Sequence, residues 1–350
     1  MVQDPTQSIR MTETSPSTRP RVLIVSLGGT ITMTKTGAGG IAPTLDAADL
    51  VAAVPQLDHY ADIETISPFR LPGASLTLSL LADVVRQVSM RLASDCDGAV
   101  IIQGTDTIEE TAWVFDCLID GDKPVIVTGA MRGADTAGAD GPANILAAVT
   151  VASAKAARGL GCLVVLNDQI HAARYVQKSH TTLPSAFTSG QLGPLGLVIE
   201  GKAHILTKIE RLPPMPMPID FSPQVALLTV GLGDDGRLLR ELPRLGYQAV
   251  VLAAMGVGHV PSNMVPSIEA TVMEMPIVLA SRVPNGPTLR DTYGFSGSER
   301  DLLSRGVWSA GYLSALKARL LLSMLLASGI SARSVDQFLK YGFHSSAQRT

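Results

Sequence analysis

The sequence predicts an α/β protein in two parts: a larger N-terminal domain on a parallel sheet, then a smaller C-terminal α/β domain. Three observations carry this. Short unbroken apolar runs such as Val22–Val25, Ala99–Ile102 and Leu163–Leu166 have the pattern of parallel strands buried on both faces. Between them lie segments with helical periodicity, Leu78–Ala93 the clearest. The stretch from Leu206 to Pro223 holds Pro213, Pro214, Pro216, Pro218 and Pro223, a stiff connector with strand–helix alternation on both sides. The expected division is a disordered tail over 1–20, a catalytic domain over 21–205, a linker over 206–223 and a second domain over 224–350.

Taken in order, Arg21–Leu27 is the first strand and ends in Gly28-Gly29-Thr30-Ile31, a tight turn with exposed N–H groups. Thr34–Gly40 is polar and glycine-rich, the composition of a mobile loop or lid. A helix starts at Pro43-Thr44 and runs to Val51, a strand covers Ile63–Ile66, and Leu71–Thr77 is a polar turn carrying Ala74 and Ser75. After the helix Leu78–Ala93, strand Ala99–Ile102 opens into Gln103-Gly104-Thr105-Asp106-Thr107 and a helix over 108–120. Strand Lys123–Thr128 ends in Gly129-Ala130, a helix opens at Asp140-Gly141-Pro142 and runs to about Ala157, and a strand over Cys162–Asp168 has an exit that carries Arg174 and Lys178. Beyond the connector come strand Val225–Val230, helix Gly236–Leu245, strands Ala249–Ala254 and Ile277–Ser281, helix Leu313–Ala327 and a short amphipathic helix from Ala332 to about Lys340.

Composition narrows the function. A net charge of −3 over 350 residues, with no basic stripe, argues against a nucleic-acid partner. The longest apolar segment, Leu320–Ala327, is interrupted by Ser323 and is far too short to cross a membrane. The three cysteines and six histidines lack metal-ligand spacing, so no metal is expected. The tail lacks the apolar core of a secretory signal, which favours a cytoplasmic protein with Cys96 and Cys117 as free thiols. Gly231-Leu232-Gly233-Asp234-Asp235-Gly236 matches a dinucleotide-binding fingerprint. Its two aspartates would repel a pyrophosphate, however, and the next strand ends in Ala253-Ala254-Met255-Gly256 without a ribose-binding acid. No cofactor is expected.

In a parallel sheet, ligands bind where strands end and helices begin. The strand exits collect Thr30, Ser75, Thr105, Asp106 and Lys178: hydroxyls, a carboxylate and an amine. For Asp106 or Thr107 an ordinary helix cap, with Glu110 as capping-box partner, is an equal local explanation. Taken together the residues suit acyl transfer by a threonine nucleophile, which needs a base to take its proton; a partly buried lysine oriented by an aspartate can do that.

Several ordered motifs resemble the bacterial-type L-asparaginase family over about Val22–Tyr341. Gly28-Gly29-Thr30-Ile31 is similar to its first threonine motif. Gln103-Gly104-Thr105-Asp106-Thr107 is similar to its second, with Gln103 where many members have His. Thr128–Arg132 with Ala139–Asn144, and Asn167-Asp168 through Arg174 and Lys178 to Gly193–Gly196, resemble further blocks. The resemblance implies hydrolysis of the L-asparagine side-chain amide without cofactor, in a homotetramer built as a dimer of dimers. It makes Thr30 the nucleophile, groups Thr105, Asp106 and Lys178 as a second triad, and makes Gly29, Ala74, Ser75, Gly104, Asp106 and Ala130 substrate-binding candidates. The chain departs from the family in three places. The loop after Thr30 has no tyrosine, a Ser-x-Asp element is replaced by Gly73-Ala74-Ser75-Leu76, and the segment Pro287–Gly294 has no glutamate to lend to a partner subunit. His259, Arg290 and Tyr293 are the candidates for residues lent by the partner. A same-fold amidase for glutamine or a larger amide, and a non-catalytic amino-acid sensor, are the alternatives.

Overall fold

Burial on both faces turns the apolar runs into the strands of one large sheet. The computed structural model describes residues 19–29, 31, 33–35, 41–43, 45–331, 334 and 338. The N-terminal part comprises β1 (Arg21–Ser26), a short hairpin of β2 (Met33–Lys35) and β3 (Ile41–Pro43), α1 (Ala47–Ala52), β4 (Asp62–Ile66), α2 (Leu78–Ser94), β5 (Gly98–Ile102) and α3 (Ile108–Leu118). It continues with β6 (Val125–Thr128), α4 (Gly141–Ala152), β7 (Cys162–Leu166), β8 (Gln169–Ala172), β9 (Gln177–Lys178), β10 (Phe187–Thr188), β11 (Gly196–Ile199) and β12 (Lys202–Ile205).

Eight of these strands form a sheet in the order β12-β11-β8-β7-β6-β5-β1-β4. From β4 to β7 every pairing is parallel. The chain starts at β1, steps outward to β4, then returns to the other side of β1 to lay down β5, β6 and β7. The order therefore reverses between β1 and β5, and the crevice at the carboxyl ends of those two strands is where a ligand fits.

The far edge departs from the expected strand–helix alternation. Asn167 and Asp168 have φ of 50° and 59°. Two consecutive left-handed residues make a tight hairpin turn, so β8 returns antiparallel to β7, and β11 and β12 continue antiparallel. Thus Asn167-Asp168, expected as the last two residues of the strand, is a hairpin turn, and β7 ends at Leu166. Helix ends also differ. α4 stops at Ala152, and the expected continuation to Ala157 is a separate single turn over Lys155–Ala157; the last carbonyl of α4 packs against the start of β5, where a Cβ on Gly98 would sit 2.4 Å from it. The helix expected over Gly236–Leu245 is only α5 (Arg237–Glu241), held between Gly236 at φ +70° and Pro243. The helix expected over 108–120 ends at Leu118. The tail over 1–18, the segment Thr36–Gly40 and most of the helix expected over Ala332–Lys340 lie outside the described residues.

The second sheet takes β13 (Gln224–Thr229), β14 (Tyr247–Ala254), β15 (Ile277–Ser281) and β16 (Trp308–Ser309) in sequence order, all parallel. Beside it lie α6 (Val265–Glu274), α7 (Glu299–Ser304) and α8 (Ala315–Ala327). α1 and α4 cover one face of the large sheet around Ile24, Val100 and Ile145. The other face carries α2 and α3, and there α8 enters the same apolar cluster, with Leu321 and Met324 sharing it with Trp113 and Phe115. The Trp113 indole N–H donates to the Lys317 carbonyl at 3.0 Å, tying α3 to α8 inside that shared core. All three cysteines are free and buried. Among the described residues no helix is long and apolar enough to cross a membrane.

His171 on β8 is 1 % exposed, with its Nδ1 2.9 Å from the Ser189 hydroxyl. Burial pushes its imidazole down to about 4. The folded ring stays neutral where the unfolded one is already protonated, so stability is lost as pH falls from about 6.5 towards 4, by about 3 kcal/mol in all. Urea unfolding at steps across that range should show this loss, and His171→Gln should flatten it; an unchanged slope would remove His171 as its source.

Candidate active site

Four turns at the carboxyl edge of the large sheet meet backbone to backbone, and glycine is what allows it. Gly28 and Gly29, after β1, have φ of +106° and +94°. A Cβ on Gly29 would lie 2.0 Å from the Gly104 nitrogen, one on Gly73 would lie 2.9 Å from the Gly104 carbonyl oxygen, and one on Gly129 would lie 2.5 Å from the Gln103 carbonyl oxygen. Hydrogen bonds then fix the register: Leu71 N–H donates to Leu27 O at 2.9 Å, and the Thr107 hydroxyl donates to Gly73 O at 3.0 Å. The buried Gln103 amide donates to the Thr107 hydroxyl at 3.1 Å. This brings Gly29, Gly104 and the turn of Ala74 and Ser75 to one place, with Ala74 and Ser75 exposed at its lip and Ala130 buried behind it.

The Asp140–Asn144 block supports the Ala130 turn. The Asp140 carboxylate accepts from Met131 N at 3.0 Å and Arg132 N at 2.8 Å. The Asn144 side chain donates to Gly129 O at 2.9 Å and accepts from Asn167 N at 3.0 Å. One helix start therefore holds the exits of β6 and β7 together.

Lys178 reaches the site from β9. Its amine donates to the Thr105 hydroxyl at 3.0 Å and to Asp106 Oδ1 at 2.8 Å. Thr105 is buried, the Lys178 side chain is 16 % exposed and that of Asp106 is 70 % exposed. Residues separated by more than seventy positions thus form one triad. The capping explanation fails: Thr107 occupies the N-cap of α3 without a side-chain cap bond, its hydroxyl being turned to Gly73, and Asp106 is turned to Lys178. An ion pair this exposed adds at most about 1 kcal/mol to stability. Thr30 lies outside the described residues; its neighbours Gly29 and Ile31 are buried.

The partner-subunit candidates fall in the second sheet's loops. The rings of His259 and Tyr293 pack edge to face at 4.8 Å, and Phe295 adjoins both. Beneath them is a glutamate the sequence reading did not single out. Glu299 is fully buried and its Oε2 is 3.1 Å from His259 Nε2. Burial opposes its charge, but N–H groups of Tyr293, Glu299 and Thr292 and the His259 ring outweigh that and hold the carboxyl below its ordinary value. Arg290 is exposed nearby. Glu109 was also missed: it is buried at the start of α3 and accepts from Lys178 N–H at 3.4 Å. A cleft of about 460 Å³ opens between the sheets beside Glu109 and Lys178, bounded on the other side by Ser281, Arg282 and Leu313.

The chain matches two family models, Asparaginase, N-terminal, over residues 21–211 and Glutaminase/Asparaginase C-terminal domain over residues 224–339. It is 32 % identical over 312 residues to the L-asparaginase of Bacillus licheniformis, covering 88 % of this chain and 96 % of that one. It is 32 % identical over 348 residues to the glutaminase-asparaginase of Acinetobacter glutaminasificans, covering 90 % and 97 %. Among solved structures it is similar to the probable cytoplasmic L-asparaginase of Campylobacter jejuni, with a TM-score of 0.83 and 30 % identity over 92 % of this chain and all of that one.

The glycine contacts can be tested by substitution. Gly121 also has a left-handed φ, +89°, but a Cβ there meets nothing within 4 Å. Gly121→Ala should cost about 1 kcal/mol for backbone strain alone. Gly29→Ala carries that strain plus the clash with Gly104, and should cost about 1–3 kcal/mol more by chemical denaturation. Equal losses would mean that the turns do not press on each other.

Proposed function

The chain belongs to the asparaginase family, and we propose that it hydrolyses the side-chain amide of L-asparagine to L-aspartate and ammonia through a threonine-bound acyl-enzyme. The observation that carries the reading is the Lys178 amine at hydrogen-bond distance from both Thr105 and Asp106, at the edge where the strand order reverses.

In this reading the Thr30 hydroxyl attacks the side-chain carbonyl carbon. The C–N bond breaks and the nitrogen leaves as ammonia after taking up a proton, which gives an ester on Thr30. Water then attacks the ester, the C–O bond to Thr30 breaks, and aspartate is released. Lys178 takes protons through the Thr105 hydroxyl, and Asp106 holds the amine in place and meets the substrate's α-ammonium. Backbone N–H groups around Gly29 and Gly104 stabilise the oxyanion, an effect worth a few kcal/mol. Ala74 and Ser75 provide the lip that holds the α-carboxylate, and Ala130 closes the floor. Glutamine, one carbon longer, is the natural second substrate.

We place the two domains at 21–205 and 224–350, joined by the proline-rich 206–223, in a cytoplasmic homotetramer. In that assembly His259, Tyr293 and Arg290 of one copy complete the site of a second. Supporting this is an aromatic cluster with Tyr293 42 % and Phe295 50 % exposed, held from below by a buried carboxylate. Solvated side chains on the surface need no such anchoring, whereas residues lent to another subunit do.

Ammonia release from L-asparagine by Thr30→Ala, Thr105→Ala and Lys178→Ala tests the roles. Each should lose activity by about 10²-fold or more while keeping the fold by circular dichroism. Retained activity in Thr30→Ala would remove it as nucleophile, and retained activity in Lys178→Ala would dissolve the triad.

A further inference from the structure

α8 carries one charged side chain into the shared core. Lys317 is 0 % exposed, in a helix whose neighbouring core positions are Ala318, Leu320, Leu321 and Met324. Its ammonium donates to the carbonyls of Arg174 at 3.1 Å and Val176 at 2.5 Å. Those carbonyls belong to the turn that leads directly into β9 and Lys178. Two residues further on, the N–H of Lys178 is held by Glu109 from α3. The same α3 donates the Trp113 indole N–H to the carbonyl of Lys317 itself. Three backbone groups at alternate positions 174, 176 and 178 are thus gripped by buried side chains, two of them by a residue from the opposite domain.

Stability alone gives little reason for a lysine here. An ammonium taken out of water costs several kcal/mol, and an apolar side chain of the same length fills the space without that cost. Burial pushes the Lys317 ammonium down to about 8, against the pull of Glu109, Asp116 and Glu110. Glu109 in turn is raised by burial and drawn back by Lys317. The charge, opposed by burial and supported by these carboxylates and two carbonyls, sits at the turn from which Lys178 departs.

We propose that Lys317 is a positioning residue for the amide hydrolysis: from the C-terminal domain it fixes the 174–176 turn, and with Glu109 it sets the backbone from which Lys178 reaches Thr105 and Asp106. This rests on the catalytic role of Lys178 proposed above. It also gives the C-terminal domain a part in the chemistry of its own chain, separate from anything a second copy supplies.

The test compares steady-state ammonia release from L-asparagine by Lys317→Met, Lys317→Gln and Lys178→Ala with the parent, well below the thermal unfolding transition of each. A displacement of Lys178 affects turnover more than substrate binding, so Lys317→Met should lose about 10-fold or more in kcat with KM within about threefold. Lys317→Gln keeps two N–H donors for the two carbonyls and should retain more of kcat than Lys317→Met. Folded Lys317→Met with kcat within about twofold of the parent, or with KM raised and kcat unchanged, overturns the inference. If Lys317→Met does not fold, the kcat of Lys317→Gln decides by the same thresholds. An active Lys178→Ala would instead overturn the underlying reading, whatever the Lys317 variants do.

Discussion

The site depends on how closely three backbones approach one another. The turns after β1, before α2 and after β5 meet at Gly29, Gly73 and Gly104, where a single methyl group would lie 2.0–3.0 Å from the opposing main chain. Side chains cannot mediate so close a contact, so the three turns meet main chain to main chain at one small volume. The position of that volume follows from topology. β1 and β5 are neighbours, and the connection leaving β1 runs to β4 while that leaving β5 runs the opposite way to β6, opening a crevice at their shared carboxyl edge.

Charge is then brought to the crevice from a distance. Lys178 lies beyond the β7–β8 hairpin, and its approach is set by contacts from two other elements, α3 through Glu109 and α8 through Lys317. The gradient of exposure is suited to proton transfer: Thr105 is enclosed, Lys178 is mostly covered and Asp106 faces outward. The exposed Asp106 carboxylate is open to a substrate ammonium, while Lys178 and Thr105 face each other out of solvent. The second sheet therefore does more than add bulk, since one of its helices shares the core with α3 and reaches the turn before the lysine.

Much of this was legible in the sequence where the cause is local. Unbroken apolar runs gave the parallel strands, and the residues that end them, Gly29, Thr105 and Asp106, marked the carboxyl edge where the turns meet. Other features were not local. Asn167-Asp168 reads as the end of a strand because it continues an unbroken apolar run; the left-handed φ of both residues makes it a hairpin turn. Capping was a fair reading of Asp106 and Thr107 until Lys178, 72 residues away, and Gly73 competed for them. Glu299 and Lys317 passed unremarked because a charged residue in a helix is usually solvated. In Lys317 the clue was its place among the leucines of α8, and its acceptors lie more than 140 residues earlier. Thr30, the residue on which the resemblance places most weight, rests on sequence and on its described neighbours.

The central claim is hydrolysis through an ester on the enzyme, and trapping that ester tests it most directly. L-asparagine is incubated with the purified chain and increasing hydroxylamine, and ammonia, aspartate and aspartyl hydroxamate are all quantified. The account predicts ammonia equal to the sum of aspartate and hydroxamate, with the hydroxamate share rising with the nucleophile while ammonia release does not fall. Binding of asparagine with measurable heat but without ammonia would contradict it, and would leave the fold serving as a sensor.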